Sequence, residues 1–156
     1  MFLWLIVGIV CIVRLRHADM AFERDEGEYA YAGWSILQGG IPYLDFFNMK
    51  LPGVYYSYAL IFKLFGFHVW VIRAVVLLLS MGSAYFIFHF SRRVLPAASP
   101  EVVAGCYLLM SVGYFSQGFI SNSEHFVVFF VLAGLWSLAR WPDMACSTVL
   151  SESCAT

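Results

Sequence analysis

The 156 residues are 62% hydrophobic and 19% aromatic, with a mean hydropathy of +0.78 and only 12% charged side chains. Soluble domains carry about 45–50% apolar and about 25% charged residues, and a chain this short cannot bury such a surplus in one water-soluble core. The net charge of −1 removes the basic footprint that nucleic-acid binding needs.

The first apolar run, Phe2 to Val13, is shorter than the about 20 residues that span a bilayer core as a helix. Arg14 and Arg16 can snorkel and extend it by a turn. The start carries no charge and no A-x-A pattern follows, so the run reads as a membrane helix rather than a signal peptide.

Residues 17–52 break the apolar pattern. They hold six of the ten acids (Asp19, Glu23, Asp25, Glu26, Glu28 and Asp45), against Arg24 and Lys50 alone among Lys and Arg. Within them, residues 28–38 predict a short amphipathic helix with Tyr29, Gly33, Ile36 and Leu37 on one face. Gly39-Gly40 stops it, and such a helix lies along a membrane surface. Val54 to Phe65, interrupted by Lys63, is too short to span and predicts an interfacial or re-entrant helix, with Tyr55, Tyr56 and Tyr58 as interface residues.

Phe67 to Phe90 predicts a span despite Arg73, and ends at Arg92-Arg93. A polar turn follows at residues 96–100. Val102 to Phe119 predicts a third span, Phe126 to Leu138 the core of a fourth, and Arg140 follows it. The expected fold is all-α: a polytopic transmembrane protein of about four spans, with an outer loop carrying short interfacial helices. Residues 1–141 form the transmembrane region and 142–156 an irregular polar tail.

Basic residues near span ends favour the cytoplasm. Arg92-Arg93 and Arg140 therefore point inward, which puts residues 17–52 and 117–124 outside; Arg14 and Arg16 run against the rule. Asp25, Glu26, Lys50 and Glu124 then share one face of the membrane. Carboxylates beside lipid are costly unless they are partnered or functional.

The run Arg24-Asp25-Glu26-Gly27-Glu28-Tyr29-Ala30-Tyr31, then Gly39-Gly40-Ile41-Pro42-Tyr43, Asp45-Phe46-Phe47 and Lys50-Leu51-Pro52-Gly53, resembles the first outer loop of GT-C type glycosyltransferases that use polyprenyl-phosphate sugars. The protein O-mannosyltransferases and the bacterial aminoarabinose transferase are the nearest groups. Ser123-Glu124, opening a later span, is similar as well, and the likeness covers about residues 10–140. The resemblance implies transfer of a sugar from a polyprenyl-phosphate donor to an acceptor at the extracytoplasmic face, with inversion, in the bacterial inner membrane. It makes Asp25 the catalytic base, Glu26 and Glu124 supporting acids, and Lys50 a phosphate contact. The chain departs from the pattern at Met49, where a polar or acidic residue is frequent, and at Leu51, where a proline is. It is also shorter than family enzymes and reads as a truncated copy.

The chemistry suits these residue types. Sugar transfer passes through an oxocarbenium-like state. A placed carboxylate takes the acceptor's proton, and a cation steadies the departing phosphate. Each residue also has a structural reading. Asp25-Glu26-Gly27-Glu28 has the D-x-x-E form of a capping box, Glu124 can cap the fourth span, and Lys50 can snorkel. Arg73 can pair with a lipid head group or with an acid outside the chain.

Cys11, Cys106, Cys146 and Cys154 lack zinc or redox spacing. His68, His89 and His125 also lack ligand spacing and read as interfacial. No cofactor is expected, and dependence on a divalent metal stays open. Two other classes remain. A transporter or channel fragment would place its charges mid-span, facing a cavity. A non-catalytic membrane subunit would pack through small-residue faces, of which Gly82-Ser83-Ala84 is the one hint.

Overall fold

The computed structural model describes residues 2–95, 98–113 and 120–153, with side chains through Arg140. Among the described residues six helices follow one another: α1 Phe2–Arg16, α2 Arg24–Leu37, α3 Gly53–Phe65, α4 Val69–Val94, α5 Pro100–Met110 and α6 Ser123–Ser153. Among the described residues the only β pairing is an isolated bridge between Pro42 and Phe46. The fold is all-α, as expected.

Among the described residues two helices are long and apolar enough to cross a membrane, α4 and the Ser123–Arg140 part of α6. The 26 residues of α4 extend about 39 Å, more than the roughly 30 Å of hydrocarbon. At 15 and 11 residues, α1 and α5 fall short of the about 20 that a span needs. The third predicted span is helical only to Met110, and residues 114–119, which include its end and the start of the 117–124 turn, lie outside the described residues, as do Pro96 and Ala97. The polar tail differs from expectation: α6 continues through Ser153. No Gly or Pro interrupts residues 143–153, and those two are the residues that cost a helix most.

The start of α2 also differs. It begins at Arg24, four positions before the predicted start, because Glu23 is its N-cap and Glu26 answers from the third helical position in a reciprocal capping box. The box is therefore Glu23–Glu26, and Asp25 is left out of it.

Two cores hold the molecule. In one, α2 and α3 pack as a hairpin on the first turns of α4: Tyr29, Tyr55, Tyr58, Phe62, Ile72 and Val76 are buried together. Gly33 permits that hairpin, since a Cβ there would lie 2.9 Å from Ala59 N and from Tyr58 Cβ. In the other, Ile6 and Val10 of α1 meet Ala84 of α4 and Leu108 of α5. A Cβ on Gly82 would stand 2.6 Å from the Phe129 ring. The small-residue face of α4 thus receives α6 of this chain. Outward faces stay apolar, with Trp4, Leu5, Leu78, Phe130 and Leu138 exposed. The compositional surplus is on the surface, where only lipid is a fitting solvent.

Long-range hydrogen bonds tie one end of the molecule together. Arg14 Nη2 donates to Ser111 O at 2.6 Å, so Arg14 is buried against the end of α5 instead of snorkelling. Arg73 Nη1 and Nη2 donate to His17 O at 3.1 Å and Ala21 O at 3.3 Å. Tyr58 Oη donates to Ser121 O at 2.7 Å. The end of α1, the starts of α2, α4 and α6 and the end of α5 meet there, while Arg92 and Arg93 close the far end of α4.

Candidate active site

Asp25 and Lys50 meet at this end. Lys50 Nζ lies 2.8 Å from Asp25 Oδ2, with the two side chains 37% and 38% exposed. Tyr29, one helical turn after Asp25 and therefore on the same face of α2, accepts a second hydrogen bond from Lys50 Nζ at its hydroxyl. The ammonium also stands 4.8 Å from the Tyr29 ring centroid, within cation–π range. Partial burial pulls the Lys50 pKa down, but the hydrogen bonds to Asp25 and Tyr29 outweigh it and leave it raised. The lysine is a fixed cation at neutral pH.

The 41–50 segment presents Lys50 through its own bonds. Ile41 N donates to Asp45 Oδ2 at 2.7 Å, and Tyr43 Oη donates to Lys50 O at 2.6 Å. Lys50 N donates to Asn48 Oδ1 at 3.2 Å, and Asn48 Nδ2 donates to Glu28 Oε1, which fastens the segment to α2. Tyr43 adopts φ 68°, the left-handed region where a bulky residue is uncommon. The turn is held in place by these contacts.

Glu26 takes a different path. It is fully buried, and its Oε2 receives Arg73 Nη2 at 3.0 Å and Glu23 N at 3.0 Å. Its Oε1 receives Ser121 N at 2.5 Å. One carboxylate thus joins α2, α4 and the segment before α6. Arg73 finds its acid within the chain, and neither a lipid head group nor an outside helix supplies it. Burial at a charge pair is costly unless the remaining lone pairs are satisfied, and here the backbone N–H groups satisfy them.

Glu124 is exposed in the first turn of α6. It lines a groove of about 720 Å³ together with Lys50, Leu51, Val54, Phe126 and Phe130. Lys50 therefore links Asp25 to the groove on which Glu124 stands. Glu26 faces the core, behind them. His125 is buried, with Nε2 3.1 Å from Ile120 O; the interfacial reading does not hold for it. Among the described residues, no group of three His, Cys, Asp or Glu could hold a metal ion.

Two partners escaped the sequence. Tyr29 read only as a helix-face residue, although its i, i+4 spacing from Asp25 was a usable signal. The pairing of Glu26 with Arg73, 47 positions apart, carries no local signal.

An all-α membrane protein with an acid–lysine pair whose lysine lines an apolar groove is the class these features define. A family model described as dolichyl-phosphate-mannose-protein mannosyltransferase matches residues 50–144, more than half of the chain, and the chain belongs to that family. The match takes in Lys50, Arg73 and Glu124, while Asp25 and Glu26 precede it. No curated protein and no solved structure matches the chain.

Proposed function

We propose that the protein transfers a sugar from a polyprenyl-phosphate donor to an acceptor hydroxyl at the extracytoplasmic face of the membrane, in a multi-pass chain of the bacterial inner membrane. The observation that carries this reading is the Asp25–Lys50 pair beside the groove. Lys50 receives the donor phosphate, and the apolar wall receives the first isoprene units. The acceptor oxygen attacks the anomeric carbon from the face opposite the phosphate, and the bond from that carbon to the phosphate oxygen breaks. Its electron pair leaves on the lipid phosphate, steadied by Lys50. The acceptor proton passes to Asp25. Attack opposite the leaving group inverts the anomeric centre.

Glu26 sets the direction of α2 and so the position of Asp25, and Glu124 stands at the groove's rim as a supporting acid. Family membership supports the donor class. The clustering of acids at one end, away from the middle of α4 and α6, favours this reading over a transport path.

Donor dependence of transfer, measured with labelled sugar in membranes carrying the protein, tests the reading. Lys50→Ala raises the donor concentration needed for half-maximal transfer; an unchanged dependence removes Lys50 from it. A Met20→Cys reporter reacts with an impermeant thiol reagent from outside. Reaction only from the cytoplasm contradicts the proposed sidedness.

A further inference from the structure

The cation assigned to the donor already has partners within the chain. Asp25 and Tyr29 take two of the three N–H donors of Lys50, and Lys50 is also a lining residue of the groove. One positive charge cannot neutralise both a carboxylate and a phosphate. An Asp25 oxygen that already accepts from the ammonium has less room and fewer lone pairs for an acceptor hydroxyl. The Asp25 side chain takes no part in capping α2, which Glu23 and Glu26 do.

We propose that Lys50 gates Asp25: the ion pair masks the base until an entering lipid phosphate draws the ammonium toward itself and releases the carboxylate. The inference rests on Lys50 being the phosphate partner proposed above. It imposes an order, since the base becomes competent toward an acceptor only once the donor is seated. Tyr29 is a positioning residue here. Its hydroxyl and ring keep the ammonium at the groove's edge after Asp25 lets go. Half-exposure keeps the pair weak enough to exchange, because ion pairs open to water contribute little. The buried Glu26–Arg73 pair, with its backbone donors, has no such freedom.

Competition makes a measurable prediction. Dodecyl phosphate is the probe, titrated against the full chain in nanodiscs of neutral phosphatidylcholine. Asp25→Asn frees Lys50 and tightens probe binding roughly two- to fivefold, the range of a solvent-exposed pair. Glu124→Gln removes a carboxylate from the same groove without touching the Lys50 bonds, and tightens binding less. Lys50→Met abolishes the tightening and weakens binding in both backgrounds. Asp25→Ala repeats the first measurement with a different side chain, and monodispersity in nanodiscs checks folding. Unchanged or weaker binding in both Asp25 variants overturns the gate, as does equal tightening by Glu124→Gln, which would reduce the effect to net charge. Binding that ignores Lys50→Met overturns the phosphate reading itself, a result separable from the other two.

Discussion

Asp25 and Glu26 are neighbours in sequence and opposites in the fold. Both are carboxylates in the first turn of α2, and both meet a cation at about 3 Å (2.8 Å for Lys50 and 3.0 Å for Arg73). Asp25 and its lysine are more than a third exposed, whereas Glu26 is fully buried and its arginine nearly so. Successive helical positions turn by about 100°, so one residue points to Lys50 and the next to the core. Water decides what each pair can do. The buried pair is architecture, because moving either charge leaves the other stranded. The open pair can exchange partners, which is what a site for a charged substrate requires.

Replacing each partner tests that contrast. The largest loss of stability belongs to Glu26→Gln, which leaves the Arg73 guanidinium buried without its counter-charge. The expected cost is about 3–5 kcal/mol, read as a steep fall in folded protein and in thermal midpoint. A variant as stable as the wild type would remove Glu26 from the framework. Gly33→Ala comes next. Its Cβ meets backbone at 2.9 Å, and prying α2 from α3 costs about 1–3 kcal/mol in the same melting experiment. Lys50→Met sits at the small end, with a change in stability of less than about 1 kcal/mol, although donor use suffers. A large loss of stability there would show that Lys50 holds the fold together. The smallest effect is in pH. The folded-state pKa of Lys50 is raised, so its contribution is whole below the ordinary lysine value of about 10.4. It fades only as pH climbs through the raised value. Probe binding through Lys50 therefore holds steady from neutral pH to about pH 9, which a pH series of the phosphate titration checks.

Composition and the lengths of the apolar runs made the all-α membrane class legible, and the charge of the loops put Asp25, Glu26, Lys50 and Glu124 on one membrane face without announcing that Asp25 meets Lys50. Local pattern went wrong where tertiary contacts override it. The D-x-x-E run suggested Asp25 as a cap, but Glu23, a residue type outside the preferred N-cap set, takes the role because Glu26 is held in place by Arg73 and Ser121 N. Arg73 looked like a stray charge in a span, since its partner lies 47 residues away. Gly82-Ser83-Ala84 suggested a partner protein, because nothing in the sequence announces that Phe129 fills that notch. The predicted span count rested on apolar run length. Apolar composition does not fix where a helix stops, and α5 ends at Met110.

Transfer by Asp25→Asn shows whether Asp25 is the base. Asparagine keeps the side chain's shape, and α2 does not depend on Asp25 for its cap, so the protein should accumulate in membranes at the wild-type level. With protein levels matched and labelled sugar supplied on a polyprenyl-phosphate donor, transfer falls roughly a hundredfold or more, even as the phosphate probe binds more tightly. Near-normal transfer by that variant would contradict that role and leave Asp25 as no more than the counter-ion of Lys50.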